Sequence, residues 1–125
     1  MKYILLLLLA CAATWRVKAQ SATPPTLTRL AHITVDSAQL PAYLQALRTQ
    51  MAAALASESG VLSYQVYADA LRPHHLTILE VYADSAAYAS HLKAPHFLAY
   101  KSTVQGMVKH LQLTTLRPLL EARKP

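Results

Sequence analysis

The stretch His75–Tyr100, HLTILEVYADSAAYASHLKAPHFLAY, most narrows what this chain can become. It opens as a strand, with Leu76, Ile78, Glu80 and Tyr82 on one face and Thr77, Leu79 and Val81 on the other. Apolar side chains on both faces imply that both are covered. Asp84-Ser85 then offers a helix N-cap, because a short side-chain oxygen accepts from the free N–H groups of a first turn. Tyr88, His91 and Leu92 follow at i, i+3, i+4 spacing, which predicts one shared helix face. Ala94-Pro95 interrupts this helix, and Pro95 suits the first position of another that carries His96, Phe97, Tyr100 and Val104.

The same signals recur elsewhere. Leu27–Val35 reads as a strand, with Leu30, His32 and Thr34 on one face and Ala31, Ile33 and Val35 on the other. Asp36-Ser37 caps a long helix to about Ala56, striped by Leu40, Leu44, Leu47, Met51 and Leu55, with Pro41 in its first turn. Val61–Ala68 reads as the second strand, joined by a loop containing Arg72-Pro73 to the strand at His75. Gly106 marks a bend, Leu111–Leu116 the fourth strand, and Pro118 its stop. The order β-α-β-β-α-α-β is an α+β, ferredoxin-like arrangement with an antiparallel sheet. Helices cover one sheet face. The other is expected to be apolar too, through Ile33, Val35, Leu79 and Val81, so a homodimer through the sheet face is expected.

At 125 residues the chain suits one domain, expected over residues 27–118, with 119–125 as a tail. Residues 1–19 read as a signal peptide. Met1-Lys2 is a positive start, and Tyr3–Ala13 is an apolar run shorter than the roughly 20 residues that span a bilayer. Val17-Lys18-Ala19 places small residues at the −3 and −1 positions of a cleavage site. The expected location is therefore exported, periplasmic or secreted, with membrane contact only through the transient signal peptide. A lipoprotein signal ending at Cys11 is the rival reading. Residues 20–26 form a polar, proline-containing leader expected to be disordered.

Cleavage after Ala19 removes three positive charges, Lys2, Arg16 and Lys18, and takes the net charge from +6 to +3. The remaining Lys and Arg are scattered rather than striped, so no nucleic-acid partner is implied. Cys11 is the only cysteine, so the mature chain has no disulfide, thiol nucleophile or thiolate ligand. No H-E-x-x-H or similar local template for a metal occurs. Gly60 and Gly106 are the only glycines, which excludes G-x-G-x-x-G, P-loop and G-x-S-x-G motifs.

Leu79-Glu80-Val81-Tyr82-Ala83-Asp84, a helix ending Ser90-His91-Leu92, and Ala94-Pro95-His96-Phe97 with Tyr100 three residues on resemble the antibiotic biosynthesis monooxygenase family. Glu58-Ser59-Gly60-Val61-Leu62-Ser63-Tyr64 is similar to that family's E-x-G-x-x-x-Y turn into a strand. The resemblance covers roughly residues 27–118 and implies a dimeric α+β barrel. It also implies oxidation of a quinol or other small phenolic aromatic by O2, with no cofactor. Haem-degrading relatives use a histidine ligand, a strand tryptophan and an asparagine. This chain has Lys101 and Tyr82 at the first two places and no asparagine anywhere, so it departs from them.

Glu80 and His91 are the candidate catalytic residues. Glu80 interrupts an apolar strand, so its carboxyl is either a desolvated pocket group or a strand-end partner of a basic residue. His91 points toward the sheet, where a neutral imidazole can accept a proton, oriented by Glu80; the other reading is a histidine bonding helix backbone across the Ala94-Pro95 break. Tyr64, Tyr82 and Tyr88, with apolar bodies and polar tips, and His96 and Phe97 at the start of the last helix, are candidates to line a substrate cavity. Ordinary core packing is the competing account of each. The function expected is a cofactor-independent monooxygenase; the alternative is a non-catalytic dimeric module binding a small hydrophobic ligand.

Overall fold

A computed structural model describes residues 25–120 together with 122, 124 and 125. The expected signal peptide, its cleavage after Ala19 and the lipoprotein alternative at Cys11 lie outside the described residues, as does most of the leader. Among the described residues, no helix is long and apolar enough to cross a membrane.

Four strands and three α-helices follow one another as β1 (Leu27–Val35), α1 (Leu40–Ser57), β2 (Val61–Ala68), β3 (His75–Tyr82), α2 (Ser85–His91), α3 (Pro95–Val104) and β4 (Val108–Leu116). A short 3-10 turn, Ser37–Gln39, leads into α1. The sheet is antiparallel in the order β2-β3-β1-β4, the ferredoxin-like arrangement, and it is open rather than closed on itself. Asp84 caps α2 as the sequence implies, accepting from Ala87 N at 2.7 Å, whereas Asp36 caps the 3-10 turn, accepting from Ala38 N at 3.0 Å, and Gln39 stands at the N-cap of α1 with no side-chain bond. Pro95 opens α3, where a missing N–H costs nothing.

The pairing decides which residues face the helices. Ile33 stands opposite Leu76 and Ala31 opposite Ile78, so these four share a face, and all are buried. Ile33 and Val35 therefore belong to the helix-covered core, not to the outer face to which the alternation of β3 had assigned them. The outer face carries Leu30, Leu79 and Val81 among Thr77, His32 and Gln112, and is more polar than expected. α1 is also turned from its expected stripe. Its buried residues are Tyr43, Leu47, Gln50 and Ala54, while Leu55 is 49% exposed, because the helix rests on the sheet by the row one position ahead of the leucines. β4 begins three residues earlier than expected, at Val108, where a register irregularity beside Val35 lets pairing resume directly after the Gly106 turn.

Tyr43, Leu47, Leu76, Ile78, Ile33, Val35 and Val104 form the main core at one end of the sheet. A smaller cluster, Ala54, Val61 and Tyr82, forms the other end. A bulge between Val61 and Ser63 serves this second cluster. In an uninterrupted strand, residues three apart point to opposite faces; the extra residue puts both Val61 and Tyr64 on the helix side. Gly60 stands just before this bulge. A Cβ there would overlap the methyl of Ala87, so glycine is what lets α2 approach the strand.

Candidate active site

Between sheet and helices lies a cavity of about 370 Å³ that reaches from the second cluster at Tyr82 to the main core, where Leu47, Ile78 and Val104 line it. Its wall is mostly aliphatic and aromatic, with Ile78, Phe97 and Leu113 among the lining residues, and its polar lining includes Glu80, Tyr64, Tyr82 and His91. The size falls within the usual range for a small-molecule site, about 300–1,000 Å³. The helix layer leaves β4 bare, so Leu111 and Leu113 are half-exposed and the cavity opens on that side.

Four elements supply the polar groups. β3 alternates Glu80 and Tyr82 onto the helix side, and Tyr82 Oη donates to Glu80 Oε2 at 3.0 Å. β2, through its bulge, sets Tyr64 opposite Glu80, and its hydroxyl lies 3.3 Å from that of Tyr82 and 2.9 Å from His91 Nε2. α1 contributes Gln50, whose Nε2 lies 3.3 Å from the same ring nitrogen. α2 ends on His91, which is 1% exposed and whose Nδ1 donates to Glu58 Oε2 at 2.8 Å. His96 Nε2, from α3, donates to the same oxygen at 2.8 Å.

The pair expected between Glu80 and His91 is therefore not direct. Two tyrosine hydroxyls stand between them, and the carboxylate that touches His91 is Glu58, the residue closing α1. With both ring nitrogens engaged, His91 presents ring surface to the cavity, packed against Phe97 at a centroid distance of 4.7 Å and Tyr82 at 5.4 Å. Leu92, expected beside it, is 39% exposed, because α2 ends at His91 and the chain turns toward Pro95. Tyr88 packs edge-on against Tyr82 and carries the Arg29 guanidinium over its ring, 4.9 Å from the centroid.

Burial pushes the Glu80 carboxyl above the ordinary carboxylate range, with the Tyr82 hydrogen bond and the charges of His91 and Arg29 opposing it. Burial together with the nearby Glu80 charge raises Tyr64 and Tyr82, so both are neutral phenols at any physiological pH. Tyr100 is raised in the same way by burial and by Tyr43, whose hydroxyl lies 2.6 Å from its own.

All seven candidates from the sequence gather here: Glu80, His91, Tyr64, Tyr82, Tyr88 and Phe97 line the cavity, and His96 stands behind it on Glu58. Glu58, Gln50 and Arg29 were not anticipated. Glu58 was visible only as the first letter of E-x-G-x-x-x-Y, and Gln50 only as a polar residue one turn from Leu47. Glu58, His91 and His96 are also residue types that metals favour, brought together from separate elements that local spacing cannot reveal. Their 2.8 Å separations are those of hydrogen bonds. Tetrahedral zinc with bonds of about 2.0–2.1 Å holds its ligand atoms roughly 3.3 Å apart.

A family model described as antibiotic biosynthesis monooxygenase matches residues 26–103. Among solved structures, a candidate antibiotic biosynthesis monooxygenase from Bacteroides thetaiotaomicron is 39% identical, with a TM-score of 0.75 over 81% of this chain and 96% of that one. A candidate monooxygenase from Lactobacillus acidophilus is 30% identical, with a TM-score of 0.72 over 73% of this chain and 43% of the other. PA3566 from Pseudomonas aeruginosa is 26% identical, with a TM-score of 0.72 over 78% and 98%. No curated protein matches.

Proposed function

This chain belongs to the antibiotic biosynthesis monooxygenase family, and on that premise we propose that it oxidises a small electron-rich phenol or quinol with O2, using no cofactor. The observation that carries this reading is the desolvated carboxyl of Glu80 on the wall of an aromatic cavity of about 370 Å³. Such a carboxyl is a stronger base than one in water, and it takes the substrate's phenolic proton. The phenolate then gives one electron to O2. The two radicals join carbon to oxygen, and loss of water leaves a quinone, with one oxygen atom in the product and the other in the water. The protein's part is to hold the ring against Phe97 and Tyr82, to keep bulk water out, and to remove the proton. Arg29 and Lys101 on the cavity lining favour the anionic form of the substrate.

The same reading includes a second copy of the chain. Among the described residues no helix covers the outer face of the sheet, which carries Leu30, Leu79 and Val81, a surface suited to a homodimer.

Oxygen uptake with a panel of quinols and naphthols, with the quinone product identified, tests the proposal. Stoichiometric uptake is expected. A non-catalytic binding module is the second reading, favoured by the full engagement of both His91 nitrogens, which stiffens the wall without leaving the ring a free acceptor. Ligand-induced thermal stabilisation without oxygen uptake would establish that instead.

A further inference from the structure

The proton taken from a substrate must be held away from the phenolate while O2 adds and then be given back for the water that forms, and one chain of contacts leads from the cavity to a place that can hold it: Glu80 Oε2 to Tyr82 Oη at 3.0 Å, to Tyr64 Oη at 3.3 Å, to His91 Nε2 at 2.9 Å, then from His91 Nδ1 to Glu58 Oε2 at 2.8 Å. Its inner end lines the cavity. Its outer end, Glu58 and His96, has side chains 16% and 19% exposed.

Counting donors shows how this chain can work. Each phenol has one proton to give, and Glu58, ionised, accepts from Nδ1 of His91. If Glu80 is protonated, it donates to Tyr82, Tyr82 to Tyr64, and Tyr64 to the bare Nε2 of His91. If Glu80 is ionised, Tyr82 donates to it, Tyr64 donates to Tyr82, and His91 as imidazolium donates from Nε2 to Tyr64. Every contact along the path is satisfied in both patterns, which hold the same number of protons and differ in where one of them sits; the Gln50 amide, 3.3 Å from Nε2, donates to it in the first and turns its oxygen to it in the second. With Glu80 ionised and His91 neutral, the protons of the two phenols are spent outward and the Tyr64–Tyr82 contact holds none.

We propose that Glu80, Tyr82, Tyr64 and His91 act as one proton relay, which exchanges a proton between the cavity carboxyl and the imidazole by reversing both hydroxyls together. In one passage the bond from Glu80 Oε2 to hydrogen breaks and a bond from His91 Nε2 to hydrogen forms. Each phenol gives one proton, receives one, and ends neutral. His91 then holds the proton as imidazolium against the Glu58 carboxylate, which His96, the second donor to Glu58 Oε2, fixes in line, and the reverse passage returns the proton through both hydroxyls to Glu80 for the water that forms. The raised tyrosines fit this role, since phenols that resist ionisation pass protons without storing charge. The groups that face Glu80 from the packed elements are Arg29 on β1, Tyr64 on β2, Tyr82 on β3, His91 on α2, Tyr43 on α1 and Tyr100 on α3. Of these, Tyr82, Tyr64 and His91 form the continuous path. The relay rests on the reading of Glu80 as the cavity base, and makes Tyr82 and Tyr64 positioning residues for it.

The test is NMR of the full chain with nitrogen-15 histidine and carbon-13 glutamate, titrated in the parent, Tyr82→Phe and Tyr64→Phe proteins. The relay predicts that neutral His91 carries its proton on Nδ1. It also predicts that the Glu80 carboxyl and the His91 ring each report the same two inflections, separated by at least about one pH unit. Either phenylalanine leaves each nucleus with one inflection of its own. A neutral His91 protonated on Nε2, or single independent inflections already present in the parent, overturns the relay. Coupled curves in a protein that takes up no oxygen uphold the relay and reject only the oxidation reading.

Discussion

The two ends of the sheet–helix interface are built on different physics. At one end Val35, Tyr43 and Leu76 pack an apolar core beyond the cavity lining, in which the Tyr43–Tyr100 hydroxyl pair is a polar feature. At the other, Ala54, Val61 and Tyr82 form a small apolar cluster beside a chain of carboxyl, phenol and imidazole groups, with a cavity alongside. The first end holds the fold together through area removed from water, about 1.5–3 kcal/mol for each large side chain. The second spends buried volume on polar groups that are each matched to a partner, and among the described residues no buried side-chain polar atom lacks one. Apolar packing is concentrated at one end and partnered polar groups at the other.

Substitutions sharpen that contrast. Leu76→Ala, at the apolar end and outside the cavity lining, has the largest expected cost, about 2–5 kcal/mol in urea denaturation. It should leave the oxygen uptake of the folded protein within a small factor. Glu58→Gln strikes the other end by removing the charge that accepts from both His91 and His96. A cost of about 1.5–3 kcal/mol is expected, and uptake should fall much further than this loss of stability explains. Gly60→Ala forces α2 away from β2, for about 1–3 kcal/mol by the same denaturation assay. Because α2 carries His91, its uptake should fall as well. Leu55→Ala, on the exposed side of α1, should stay within about 0.5 kcal/mol. A larger value would restore the helix face first read from the leucines.

The two ends also differ in how far the sequence revealed them. Alternation in Leu76–Tyr82 and the caps at Asp36 and Asp84 specify elements through neighbours in the chain, and the ferredoxin-like order follows from them. Periodicity was less informative where two faces are both apolar. It placed Ile33 and Val35 on the wrong side because only the pairing Ile33–Leu76 relates one strand's alternation to the next. The leucine stripe of α1 misled for a related reason: leucine at the margin of a contact reads the same as leucine at its centre, while the central row includes Gln50, a residue no hydrophobic pattern selects. At the polar end, the sequence pointed to seven residues that the structure brings to or behind the cavity, and their partners were not legible. Glu58 meets His91 across 33 positions and His96 across 38, separations over which a sequence carries no local signal.

Glu80 joins the two lines of reasoning. Burial raises its folded-state value above the unfolded one, so the stability it contributes is full below the unfolded carboxylate range, near about 4.3, and is lost as pH rises through the raised value. Glutamine has the same shape and no such loss. The advantage of Glu80→Gln in melting temperature over the parent should therefore grow between about pH 4 and pH 8. The direct test of the account is to measure melting temperature and oxygen uptake of this one variant at neutral pH. The prediction is a protein at least as stable as the parent whose uptake has fallen by roughly 10²–10⁴-fold, the usual contribution of a general base. A folded variant that oxidises quinols at the parent's rate would contradict it.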